Sequence, residues 1–107
     1  MIYEWRVYHI AQDKMPNILA RFRDVTMGLF DRHAMRVIGF WTHADEDVND
    51  LLYLMAFDSV EDRATKWREF AADPDWVAAR AESEKDGQLV TGLESTLMEA
   101  TDFSALQ

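Results

Sequence analysis

The stretch LLYLMAF, residues 51–57, has no polar group that could face water except the hydroxyl of Tyr53. A strand with one solvent-exposed face alternates apolar and polar residues. Here, however, Leu52, Leu54 and Ala56 are as apolar as the residues between them. Both faces of this strand are therefore expected to be covered. The fold depends on what covers the second face.

The neighbouring elements follow from periodicity and from the residues that start and stop helices. Pro16 suits the first turn of a helix, and Ser59-Val60-Glu61-Asp62 resembles a capping box. Gly39 indicates a bulge or a close approach by another group, and Gly87 is a natural helix stop. Strands are predicted at 2–10, 36–43, 51–57 and 89–98, and helices at 15–34 and from Ser59 onward, with a break at Asp73-Pro74.

This β-α-β-β-α-β order predicts an α+β, ferredoxin-like fold, a four-stranded antiparallel sheet with both helices on one face. The whole chain, 1–107, forms one domain, in which 99–107 is a C-terminal tail that docks Phe103 and Leu106 on a neighbour. No element remains to cover the second sheet face. A second copy of the chain is therefore expected to cover it, giving a homodimer.

Composition excludes several classes of protein. Twenty acidic and eleven basic residues give a net charge of −9, which argues against nucleic acid. Cysteine is absent, so thiolate chemistry and Cys-ligated metals are excluded. Glu4 and Arg6 interrupt the apolar N-terminus, and no apolar run reaches the length of a bilayer span, so neither a signal peptide nor membrane insertion is expected. The expected location is the cytoplasm.

Several stretches resemble the NIPSNAP family of the dimeric α+β barrel superfamily. They are IYEWRVYHI (2–10), the Lys-Met-Pro start of the first helix, FDRHAMRVIGFWT (30–42), LLYLMAFDSVEDRATKWREFAADPDW (51–76) and the final Glu-Ser-Thr-Leu. The resemblance implies a homodimer whose two sheets pack face to face. The chain departs from the family where Gln12-Asp13 replaces a frequent Pro-Gly turn. Wider relatives include cofactor-free monooxygenases, lactone isomerases and haem enzymes, an analogy of fold only.

Aromatic residues supply the candidates for a ligand pocket between sheet and helices. Packing of the same side chains in the core stays open as the alternative, because aromatic stripes at strand or helix spacing are common in cores. The pocket candidates are Tyr3, Trp5, His9, Phe22, Trp41, Tyr53 and Trp67.

Two roles are open for the polar residues of the first strand. Glu4 and Arg6 share a face with Tyr8; if that face points into the barrel between subunits, the pair acts as an interface or register device. Alternatively, Arg6 steadies an anionic substrate or enolate while Tyr8 or His9 transfers a proton. Arg6, Tyr8 and His9 are therefore the catalytic candidates.

No metal or cofactor is expected. His33 suits a structural role at the end of the first helix, and His43 precedes an acidic loop. Residues 45–50 imitate the start of a calcium loop, but Asp50 and Ala56 occupy the positions that require glycine and glutamate. Haem binding is a weaker alternative, which added haem without a Soret shift would dismiss.

The leading functional hypothesis is a small NIPSNAP-like homodimer of uncharacterised activity, which binds a small apolar ligand or acts as an accessory protein. The alternative is a cofactor-independent monooxygenase or isomerase acting on a small aromatic or lactone-type substrate. A histidine or tyrosine directed into an enclosed cavity would favour the enzyme.

Overall fold

An antiparallel sheet forms one of two layers in the computed structural model, which describes residues 1–107. The strands lie in the order β2-β3-β1-β4 and comprise β1 (Ile2–Ile10), β2 (Arg36–Thr42), β3 (Asp50–Phe57) and β4 (Val90–Met98). The second layer contains α1 (Met15–Arg21), a π-helical segment (Phe22–Thr26), α2 (Met27–Arg32), α3 (Val60–Ala72) and α4 (Pro74–Ser83). The shortest dimension of the molecule is 20 Å, as expected for a sheet with one helical layer. The α+β, ferredoxin-like prediction is confirmed.

The core lies between the helices and the inner face of the sheet. On β3, Leu51, Tyr53, Met55 and Phe57 are at most 2% exposed, whereas the alternate residues Leu52 and Leu54 are half-buried. Side chains from the helices close the other side of this core, chiefly Ile18, Phe22, Leu29, Phe30 and Phe70. The inner face of β3 is thus covered within the chain, and its outer face is not.

A bulge shifts the pairing of β2 with β3 between Val37 and Gly39. Because of the extra residue, Val37 and Phe40 both pack against the core, so the strict alternation expected for this strand is wrong here. A Cβ atom on Gly39 would lie 2.9 Å from the Trp41 ring. Both expectations for Gly39, a bulge and a close approach, are therefore confirmed.

The first helix spans the predicted region but contains a π-helical segment that the sequence did not predict. The Met27 amide donates to the Phe22 carbonyl five residues earlier, and the Thr26 hydroxyl donates to the Arg21 carbonyl over 3.3 Å. Such segments are frequent at functional sites. This one begins immediately after Arg21.

Asp73 joins α3 to α4 at the predicted break. Its side chain accepts a hydrogen bond from the Asp75 amide over 2.9 Å and one from His33 Nε2 over 2.7 Å. The hydrogen bond from His33 lowers the pKa of Asp73, as do the Asp75 amide and Arg32. His33 thus has a structural role, but its side chain binds Asp73 instead of the free carbonyls of its own helix.

We expect Asp73→Ala to lower the thermal midpoint by about 4–8 °C, because α4 loses its N-cap and His33 loses its partner. Calorimetry would measure the change. Asp31→Ala, at an exposed position on α2, is the matched control and should leave the midpoint nearly unchanged. Equal midpoints for the two variants would contradict the role assigned to Asp73.

The outer face of the sheet carries a cluster of half-exposed apolar side chains that no helix covers. The rings of Trp5 and Trp41 lie 5.9 Å apart, and Trp41 is 49% exposed. Leu54 lies opposite Trp5, and Leu52 lies opposite Trp41, in the strand register. We call this surface, formed by Trp5, Val7, Trp41, Leu52 and Leu54, the outer apolar patch.

The C-terminal tail turns back over one end of the outer face, where the Tyr3 hydroxyl donates to the Gln107 carbonyl. Phe103 of the tail remains 87% exposed and Leu106 40% exposed. Within this chain neither side chain is docked. None of the helices is both long and apolar enough to traverse a lipid bilayer.

Candidate functional site

A chamber of about 380 Å³ lies between the helices and the β1–β4 side of the sheet. Its apolar walls come from Phe22, Phe30, Trp67, Phe70 and Trp76, and its polar walls include Arg6, Tyr8, Arg21, Arg80 and Glu84. The volume falls within the range of pockets that hold small molecules. Leu93 of β4, which is 51% exposed, lies at its solvent side.

Glu4 is the buried centre of the polar network beneath the chamber. Its carboxylate accepts hydrogen bonds from Arg6 (2.8 Å), Arg63 (2.7 Å), Trp67 (2.8 Å) and Ser95 (2.6 Å). Burial alone would raise the pKa of Glu4, but the bonds from Arg63, Ser95 and Trp67 outweigh it and lower the pKa to about 2. Glu4 is therefore ionised at neutral pH and fixes the position of Arg6.

The hydrogen-bond donors of Arg6 are used by other side chains of the protein. Its Nε donates to the Tyr53 hydroxyl over 2.7 Å, and its Nη2 donates to the Tyr8 hydroxyl over 3.2 Å. The guanidinium also lies 4.2 Å from the centre of the Trp67 ring. With Glu4 as its counter-ion, Arg6 is satisfied without a ligand.

The two tyrosines form a short relay that ends at the chamber. Tyr53 is fully buried and donates to the Tyr8 hydroxyl over 2.7 Å. Burial raises the pKa of Tyr53, so this phenol keeps its proton. Since Tyr8 accepts from both Arg6 and Tyr53, its own O–H hydrogen has no acceptor within the protein.

Arg21 is the second buried arginine of the chamber, and it is less well compensated. Its Nη1 donates to the Ser83 hydroxyl over 3.2 Å and lies 3.6 Å from Glu84. Its Nε is buried and has no protein partner. Burial lowers the pKa of Arg21, which shows that its charge is held in an unfavourable environment.

The structure divides the seven pocket candidates between the two faces of the sheet. Phe22 and Trp67 line the chamber, and Tyr53 lies directly behind it, 5.4 Å from the Phe22 ring. The other four, Tyr3, Trp5, His9 and Trp41, lie on the outer face, because side chains alternate along a strand. They do not line the chamber.

His9 belongs to a polar cluster at the edge of the outer face. Its ring nitrogens lie 2.8 Å from Asp50 and 2.7 Å from Glu94. The hydrogen bonds with Asp50 and Glu94 raise the pKa of His9. His9 does not line the chamber, whereas Tyr8 does.

The interface role suggested for Glu4 and Arg6 depended on their face pointing into the barrel between subunits, and this condition is not met. Glu4, Arg6 and Tyr8 point toward the helices, where Glu4 meets Arg63 and Trp67 of α3. Glu4 and Arg6 do form a pair, but the contact of Glu4 with Arg63 joins strand to helix within one chain.

Arg21 is the chamber residue whose burial the sequence least indicates. The helical pattern of 15–34 groups it with the charged residues of the solvent side, yet it is 8% exposed, because α4 and the segment after it cover that side. Trp76 lies 5.1 Å from the Arg21 guanidinium and helps bury it. The position of Arg21 in the sequence does not indicate its burial, because that burial depends on how α4 packs against the first helix.

The two-layer fold with its open outer face defines the class of the protein as a ferredoxin-like α+β domain. A family model named NIPSNAP matches residues 3–105. The chain belongs to the NIPSNAP family, as its sequence motifs predicted.

Solved structures agree with this assignment. A NIPSNAP family protein of unknown function from Agrobacterium tumefaciens is 26% identical, with coverage of 100% of this chain and 94% of that one and a TM-score of 0.87. A NIPSNAP domain protein from Burkholderia xenovorans is 27% identical, with coverage of 97% and 98% and a TM-score of 0.83.

A more distant similarity concerns the fold alone. A putative antibiotic biosynthesis monooxygenase from Nitrosomonas europaea is 11% identical, with coverage of 94% and 98% and a TM-score of 0.65. No curated protein matches the chain.

Proposed function

We propose that this NIPSNAP family protein is a homodimer that binds a small apolar ligand in the chamber between sheet and helices. The observation that carries the proposal is the chamber itself, a space of about 380 Å³ whose lining combines five large aromatic side chains with arginines and the Tyr8 hydroxyl. An accessory role, the other part of this hypothesis, would not require an aromatic chamber with the incompletely paired Arg21 on its wall. Binding accounts for both the apolar walls and the donors.

The outer apolar patch supports the homodimer. Leu52 and Leu54 are half-buried although no helix covers them, and Trp41 is half-exposed. A contiguous apolar surface of this kind on a small domain marks an interface. A second sheet would cover the patch symmetrically, as the face-to-face arrangement of the superfamily implies.

Ligand binding is tested by filling the chamber. Ala71 of α3 lines it, and the adjacent Ala72, which is also exposed, does not. In a thermal-shift screen of small aromatic acids, phenols and quinones, a ligand at 100 times its Kd should stabilise the wild type by about 2.7 kcal/mol. Ala71→Trp should abolish the shift, and Ala72→Trp should retain it. No stabilising compound, or a shift unaffected by Ala71→Trp, would contradict the proposal.

A second candidate function is a cofactor-independent monooxygenase or isomerase acting on a small aromatic or lactone-type substrate. The Tyr8 hydroxyl favours it, because this group lines the chamber with a proton free to donate. Oxygen uptake with quinol substrates and isomerisation of unsaturated lactones would test it. Turnover that disappears in Tyr8→Phe, with ligand binding preserved, would move the protein to the enzyme class.

A further inference from the structure

The chamber offers hydrogen-bond donors that the protein does not use. Arg21 is 8% exposed, and its Nε is the one buried side-chain polar atom without a partner. The Nε itself is closed off from the chamber, but the guanidinium that lines the chamber has only a 3.2 Å bond to Ser83 and a shared contact with Glu84. A buried polar group is normally fully hydrogen-bonded, so this guanidinium can still take an acceptor from a ligand. The Tyr8 hydroxyl supplies a second donor on the same chamber wall.

The charge of the chamber wall also favours a ligand that accepts hydrogen bonds, and specifically an anion. Three arginines, Arg6, Arg21 and Arg80, line the chamber with only one carboxylate, Glu84, in a protein whose net charge is −9. Arg6 has Glu4 behind it, but Arg21 and Arg80 share Glu84, each at 3.6 Å. An anion beside Arg21 would restore local neutrality.

The remaining walls exclude a large or highly charged anion. Aromatic rings favour a flat apolar molecule over a hydrated phosphate. The aromatic side chains that line the chamber with the donors are Phe22, Phe30, Phe70, Trp67 and Trp76. Two donors with no free acceptor fit the two oxygens of one carboxylate. The space of about 380 Å³ admits a one- or two-ring compound.

We infer that the ligand is a small aromatic monocarboxylate, whose carboxylate binds the Arg21 guanidinium and the Tyr8 hydroxyl while its ring lies among the aromatic side chains. This inference rests on the proposed ligand-binding function and names its ligand class. It also assigns to Arg21, instead of Arg6, the role of holding an anion. The π-helical segment that begins at Phe22 forms the adjoining wall.

The test compares 2-naphthoate with 2-naphthamide, which have the same ring system but differ in charge. Isothermal titration should show that the wild type binds the carboxylate about 10- to 100-fold more tightly, as expected for a hydrogen bond to a charged group. Arg21→Met should reduce that ratio to about one. Arg23→Met is the matched control, because Arg23 is exposed two residues further along the same helix and does not line the chamber, so this variant should keep the preference.

A measurement on the wild type keeps the test valid if Arg21→Met fails to fold. The Nε–H resonance of Arg21 should shift on addition of 2-naphthoate and stay unchanged with 2-naphthamide. Equal affinity of the wild type for both compounds would overturn the carboxylate assignment and leave the proposed binding function standing. Binding of neither compound, with no stabiliser found in the aromatic screen, would overturn both.

Discussion

Replacing Leu54 by aspartate is expected to convert the proposed homodimer into monomers of 12.5 kDa. Leu54 lies near the middle of the outer apolar patch, opposite Trp5 in the register of β1 and β3. Burial of one leucine contributes about 1.5–3 kcal/mol, and a two-fold interface contains each residue twice. A carboxylate at this position would remove that contribution and add the cost of an unpaired charge in a dry interface.

Light scattering over micromolar concentrations measures this effect. Val77→Asp is the matched control, since Val77 is 55% exposed on α4 and far from the sheet face. The control should retain the mass of the wild type. A monomeric wild type would refute the homodimer, and a Leu54→Asp variant that stays dimeric would place the interface elsewhere on the molecule.

Glu4→Gln is expected to reduce the free energy of unfolding by about 3 kcal/mol at neutral pH. The substitution leaves Arg6 and Arg63 without a counter-ion, although both side chains are largely buried. It also weakens the bonds from Trp67 and Ser95, since the charged acceptor is lost. Urea unfolding gives the value, and Glu69→Gln on the exposed side of α3 is the control that should change little.

The free energy of unfolding should also depend on pH through Glu4. Because its pKa falls from 4.5 to about 2 on folding, its contribution is fully present above pH 4.5 and is lost as the pH falls toward 2. The wild type should lose about 2–3 kcal/mol from this group across that interval. Glu4→Gln should lack that part of the acid sensitivity. An unchanged acid profile in the variant would contradict the network described for Glu4.

The elements that the sequence predicted well are those dictated by local backbone chemistry. Pro74 cannot continue α3, and Ser59 accepts a hydrogen bond from the Asp62 amide over 3.0 Å, so this helix begins and breaks where expected. The apolar β3 segment likewise predicted a strand of the sheet, and its cover by a second copy stays a proposal. These features require no knowledge of which elements meet in space.

The features that the sequence could not predict depend on tertiary packing. Both faces of β1 mix apolar and polar residues, so nothing local says that Glu4 and Arg6 face the helices while Trp5 and His9 face outward. Arg21 looks like a surface residue until α4 is placed against it. The π-helical segment was hidden because Ile18, Phe22 and Thr26 are spaced acceptably for a regular helix.

The π-helical segment has a consequence for how this chain can tolerate substitutions. Each residue of an α-helix turns the chain by about 100°, so a one-residue excess rotates everything before Phe22 relative to everything after Thr26. The two halves of this helix therefore obey separate registers. Under the proposed binding function, substitutions near Arg21 would change ligand preference while the register of Leu29 and the rest of α2 stays the same.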